Sequence, residues 1–182
     1  MRDKDAAPRL DPETHAAFQI VALANRISAS ASRSYLREFG IGVMEWRVLA
    51  MVASKPKITA AEISQISGVD QSPVSRAVRA LAERGVVALR EDAADSRRTL
   101  LVLTPAGEAL HDKMIIASLA REELLLSGLT GDERRAFFRL IKTIAANMPL
   151  VDAHDPHDAG VDARSSPPAG ARRASKPGGR RA

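Results

Sequence analysis

After Gly85 the hydrophobic period of this 182-residue chain changes, and that change sets the fold class. Before it, apolar residues recur three and four apart, the spacing of helices that bury one face. After it come Val86-Val-Ala-Leu-Arg90 and Thr99-Leu-Leu-Val-Leu-Thr104, two short β-prone runs. The segment between them, Glu91-Asp-Ala-Ala-Asp-Ser-Arg-Arg98, is polar apart from two alanines, the composition of a long charged hairpin tip. Helical spacing then resumes. A chain with this order is mainly α with one small β-hairpin.

The helices can be placed by their caps. Residues 13–39 carry Ile20, Leu23, Ala24, Ile27 and Ala31 on one face, and the pattern stops near Gly40. Residues 43–54 form a second helix around Met44, Val48, Leu49 and Val52, ended by Pro56. Thr59 and Glu62 form a capping box that opens a short third helix. Ile63 and Ile66 are expected to point inward from it, and it ends near Gly68. Asp70 is the expected N-cap of a fourth helix, with Pro73 in its first turn, where a missing N–H does no harm. Thr104 and Pro105 start a fifth, running to about Leu126. Thr130 and Glu133 form a second capping box, opening a last helix to about Met148 with Phe137, Leu140, Ile141, Ile144 and Met148 on one face.

The fourth helix has two stripes. Val74, Ala77, Val78 and Leu81 fall at i, i+3, i+4 and i+7. Ser72, Ser75, Arg76 and Arg79 repeat those offsets two residues away, about 200° around the helix. A solvated surface face is the plain reading. Such faces usually mix signs, whereas this stripe holds two hydroxyls, two guanidiniums and no acid. A short capped helix, a glycine-containing turn and then this helix form a helix-turn-helix pattern, whose second helix enters a major groove. Arginine can donate two hydrogen bonds to guanine, and serine can serve bases or phosphates. The hairpin then reads either as a charged turn or as a wing, with Arg97 and Arg98 at its tip and Asp92 and Asp95 beside them.

Composition narrows the function. Only 3% of residues are aromatic, so the core is built from Leu, Ile, Val and Ala. A net charge of +5 and a pI near 10.1 favour a polyanionic partner. With no cysteine, disulfides, thiolate metal sites and thiol sensing are excluded. The four histidines, two of them in the polar tail, make no metal-binding pair at helical spacing, so neither metal nor cofactor is expected. Gly-rich phosphate loops and nucleophile elbows are lacking, which argues against an enzyme. No apolar run approaches the roughly 20 residues that span a bilayer, and the N-terminus has no apolar signal core. A cytoplasmic protein without a membrane partner is the expectation. Residues 1–12 are expected to be flexible, and residues 149–182, rich in Ala, Gly, Pro, Asp and Arg, to be a disordered basic tail.

Three segments carry a family resemblance: MEWRVLAMVA at 44–53, TAAEISQISGVDQSPVSRAVRALAERGVV at 59–87, and REDAADSRRTLLVLTPAGEAL at 90–110. They resemble the MarR family of bacterial transcription regulators across residues 13–148, with Asp92, Asp95, Arg97 and Leu103-Thr-Pro-Ala-Gly107 matching the wing motif. The resemblance implies a winged helix-turn-helix domain at about 43–104 and helical dimerisation regions at about 13–39 and 105–148. It implies a homodimer on a pseudo-palindromic site in double-stranded DNA, acting as a ligand-responsive repressor. A ligand-responsive activator and a basic membrane-surface protein are the alternatives. Ser72, Ser75 and Arg76 would read base edges, Pro73 a thymine methyl and Arg79 a phosphate. Arg97 would enter the minor groove, directed by Asp95, with Arg98 beside it. A small aromatic or anionic effector would sit among His15, Arg26, Tyr35, Trp46 and Arg47.

Overall fold

The computed structural model describes residues 9–154. In chain order these form α1 (Ala16–Phe39), α2 (Val43–Ser54), α3 (Ala60–Ser67), α4 (Gln71–Glu83), β1 (Val87–Glu91), β2 (Thr99–Leu103), α5 (Pro105–Leu125), α6 (Gly131–Ala146) and α7 (Met148–Asp152). Two compact units divide after Ser127: α1 to α5 with the hairpin, and α6 with α7. The expected class, mainly α with a small β-hairpin wing, is the observed one.

In the first unit the core lies where α2, α3 and α4 meet the hairpin. Val48, Leu49, Ile63, Val74, Leu81 and Leu101 are fully buried there. α4 contributes Val74, Ala77, Val78 and Leu81, the whole apolar stripe read from sequence. β1 and β2 pair antiparallel with Val87 opposite Leu103 and Glu91 opposite Thr99. Ile58 adds a short third strand position, its carbonyl accepting from the Leu101 N–H at 2.9 Å. This stitches the hairpin base to the segment that leads into α3.

Caps set the helix ends. Thr59 and Thr130 each accept the N3 backbone N–H, while Glu62 and Glu133 reach back to the cap N–H. Gly40 and Gly68 close α1 and α3 in the left-handed conformation that L side chains rarely adopt. The guanidinium of Arg84, just past α4, donates to the Gly40 and Phe39 carbonyls at 2.6 and 3.3 Å. A cation thereby meets the negative end of the α1 dipole and ties the end of α4 to it.

Three expectations need correction. Ile66 does not point inward: it is 52% exposed, and α3 meets the core through buried Ile63 and partly buried Ala60 in its first turn. Asp70 occupies the N-cap position of α4 but makes no side-chain capping bond. Residues 149–152, assigned to the tail, lie within the short helix α7. The remainder of that tail, from residue 155, and residues 1–8 lie outside the described residues.

The Glu133 carboxyl is held below its ordinary value of 4.5, chiefly by the Thr130 backbone N–H and then by its hydroxyl, against a smaller opposing effect of burial. A lowered folded-state pKa stabilises the fold above the unfolded value, and that contribution disappears as pH falls through the folded one. Acid titration followed by circular dichroism should therefore show helix loss beginning below about pH 4.5. In Glu133→Gln, which cannot titrate, that loss should be shallower; identical acid limbs would disprove the assignment.

Candidate nucleic-acid interface

The turn between α3 and α4 is fixed from within. Ser64 Oγ donates to the Val69 carbonyl at 2.5 Å, and Gly68 supplies the left-handed turn residue. α4 then buries its apolar stripe and leaves Ser72, Ser75, Arg76 and Arg79 exposed on the other side, with Pro73 half-buried. Arg76 donates to Ser72 Oγ at 3.1 Å, one turn back, so two members of the polar stripe hold each other in register. A helix is about 10–12 Å across, which fits a major groove about 12 Å wide.

The hairpin tip is ordered by its aspartates. Asp92 accepts from the Ala94 N–H at 3.0 Å, and Asp95 accepts from the Arg97 N–H at 3.1 Å and from its Nε at 3.2 Å. Arg97 itself is 90% exposed, so an acid aims its head without burying it. Arg98 turns back instead, donating to Glu62 on α3 at 2.9 Å and lying 3.8 Å from Asp92. The two arginines that sequence placed together therefore diverge: one faces solvent, the other joins the wing to α3.

The five effector candidates divide. Tyr35 and Trp46 are buried and meet edge to face, with centroids 6.0 Å apart. Arg47 is half-buried and donates to Ser28 Oγ on α1 at 2.8 Å. His15 caps α1 through Nδ1, which accepts the Phe18 N–H at 3.3 Å. It precedes Tyr35 by 20 residues of helix, about 30 Å along the axis, and exposed Arg26 lies about 14 Å along it. Both are thus displaced along α1 from the Tyr35–Trp46 contact.

Two residues of α5 complete the group and went unnoticed in sequence. His111 stacks on Trp46 at 5.7 Å, and Arg121 lies 5.8 Å over the Tyr35 ring while donating to Ser30 Oγ at 2.9 Å. Both share a helical face with fully buried Met114, three residues after His111 and seven before Arg121. A polar side chain in register with a buried one was the signal available. Among the described residues no three His, Asp or Glu gather as a metal site, and no helix is long and apolar enough to cross a membrane.

A helix-turn-helix whose second helix shows hydroxyls and guanidiniums outward, followed by a two-stranded wing with a directed arginine, defines a winged helix-turn-helix DNA-binding protein. The profile of the MarR family matches residues 39–98. The crystal structure of a MarR/EmrR family transcriptional regulator from Acinetobacter sp. ADP1 is 30% identical, with a TM-score of 0.73 over 78% of this chain and 99% of that one. The chain belongs to the MarR family: it is a DNA-binding transcriptional regulator and not an enzyme. It is also 34% identical to the transcriptional repressor NicR of Pseudomonas putida over 82 residues, 45% of this chain and 52% of that protein. PcaV from Streptomyces coelicolor, solved with its natural ligand, is 25% identical with a TM-score of 0.63 over 77% of this chain and 98% of its own.

Proposed function

We propose that the protein is a homodimeric repressor, released from a pseudo-palindromic operator by a small aromatic anion. The observation that carries this reading is the set of rings and guanidiniums at the junction of α1, α2 and α5. Tyr35, Trp46 and His111 present stacked and edge-on faces, and Arg121 and Arg47 bond the neutral hydroxyls of Ser30 and Ser28 rather than carboxylates. Exchanging a serine hydroxyl for a carboxylate would replace a neutral hydrogen bond by a charge-assisted one, roughly twice as strong. The group joins the long helix α1 to α2 and the hairpin-flanking helix α5, so an occupant that favours one spacing of these elements biases DNA binding. NicR supports repression as the outcome, and PcaV supports a ligand as the signal.

Dimerisation is supported by uncovered apolar surface. Phe18, Ile20, Val21 and Leu23 on α1 stand exposed in the single chain, more than solvated helices usually leave open. A two-fold pair would present two α4 helices about one DNA turn apart, with each wing reaching an adjacent minor groove. Within each half, Ser72, Ser75, Arg76 and Pro73 address bases, Arg79 addresses phosphate and Arg97 the minor groove.

Thermal-shift screening with a panel of aromatic carboxylic acids tests the effector. An acid present at about 100 times its Kd stabilises the folded state by about 2.7 kcal/mol, a rise of several degrees in Tm. Arg121→Ala and Arg47→Ala should abolish that rise and leave release from DNA insensitive to the acid. A flat response of the wild type across the panel would defeat the effector reading. Sedimentation equilibrium showing a monomer at micromolar concentration would defeat the two-half-site reading.

A further inference from the structure

We infer that Glu62 is a positioning residue for DNA recognition: through Arg98 it bolts the wing to the helix-turn-helix, fixing the angle between Arg97 and α4. This rests on the reading above in which α4 and Arg97 address adjacent grooves.

The carboxylate of Glu62 has divided its oxygens. Oε2 accepts the Thr59 N–H at 2.8 Å and the Thr59 hydroxyl at 3.0 Å, which anchors it to the first turn of α3. Oε1 accepts from Arg98 at 2.9 Å, across 36 residues of sequence. On the wing, Arg98 is itself fixed: the Asp92 N–H donates to its carbonyl at 3.0 Å, and its own N–H donates to the Asp95 carbonyl at 2.9 Å. The hairpin is thus attached to the entry of α3 at two places, the Ile58–Leu101 bridge at its base and Glu62–Arg98 near its tip. One attachment leaves a hinge; two about 10 Å apart, the length of three strand residues, remove the rotation. Arg97 lies one residue beyond the second attachment, where a small rotation would move its guanidinium furthest.

The pair is half exposed on both sides, and such ion pairs contribute little to global stability. Its consequence should therefore appear in recognition rather than in folding. The sign is diagnostic. Glu62→Gln removes a negative charge beside the DNA-facing surface, so simple electrostatics predicts tighter binding to every duplex. Loss of the bolt predicts weaker binding to the preferred sequence alone. The introduced amide still offers an oxygen to Thr59, but its N–H group then faces Arg98.

The test uses the full chain, a duplex enriched by the wild type from a random-sequence library, and an unselected random duplex, with binding followed by fluorescence anisotropy over a range of salt. Glu62→Gln and Arg98→Ala should each weaken binding to the enriched duplex about tenfold, and the double variant by no more than the stronger single one. Binding of Glu62→Gln to the random duplex should be unchanged or tighter, and Arg98→Ala, which leaves the Thr59–Glu62 cap intact, guards against a folding artefact. Equal or tighter binding of Glu62→Gln to the enriched duplex, with Arg97→Ala clearly weakened, overturns the bolt while leaving the wing reading standing. If Arg98→Ala instead loses affinity for both duplexes alike and its salt slope drops by about one, Arg98 contacts phosphate directly and the bolt is again overturned. An Arg97→Ala protein as tight as wild type overturns both readings.

Discussion

Replacing Gly107 by alanine is expected to destabilise the winged-helix unit strongly. Gly107 is the third residue of α5, buried, and its N–H donates to Thr104 Oγ1 at 3.1 Å. A Cβ built there would lie 3.0 Å from the Val86 carbonyl carbon and closer still to its oxygen. That carbonyl cannot swing away, because it accepts the Thr104 N–H at 3.2 Å, and the Thr104 hydroxyl holds the Gly85 carbonyl at 2.7 Å. The first turn of α5 thus lies flat on the chain entering β1, with no side chain between them. Helix propensity alone would make alanine better than glycine by about 1 kcal/mol. The clash with rigid backbone should reverse that sign and cost about 3 kcal/mol or more, a large part of the roughly 5–15 kcal/mol that holds a typical domain. Urea unfolding of Gly107→Ala beside the exposed neighbour Ala106→Ser checks this. Equal midpoints for the two variants would show that α5 can shift off β1 at little cost.

Sequence revealed what depends on local period and on short-range capping. The buried stripe of α4 and both threonine–glutamate boxes join residues a few positions apart, so spacing alone exposes them, whereas the role of Asp95 beside Arg97 came from the family resemblance. Contacts made by packing were invisible to it. Arg98 meets Glu62 across 36 residues, Arg84 meets Gly40 across 44 and Arg121 meets Ser30 across 91. Nothing in residue type says which of two adjacent arginines will turn inward. The apolar face of α1 illustrates a different limit: Ile20 and Leu23 were legible as a face that avoids water, yet they are exposed in the single chain. Periodicity identifies a surface that needs a cover and does not say whether the cover is the same chain or a second copy.

Arg76→Ala and Arg97→Ala should each weaken binding to the preferred duplex by about 1–3 kcal/mol, roughly 5- to 150-fold, the range of a close base contact. The structure makes the two contributions separable. Arg76 is steadied by Ser72 on α4 and Arg97 by Asp95 on the wing, and no side chain is shared between them. Their losses should therefore add in the double variant, as distant independent sites do. Asp95→Ala adds a control with the opposite charge effect. It removes a negative charge, which favours DNA, but frees Arg97 to wander, so it should still weaken the preferred duplex. Arg79, a turn further along α4, is proposed to meet phosphate, so Arg79→Ala should lower affinity on all duplexes alike and flatten the salt slope by about one. Anisotropy titrations at several salt concentrations distinguish these patterns. If Arg97→Ala proves as uniform across sequences as Arg79→Ala, the wing supplies charge alone, and sequence is read by α4 without it.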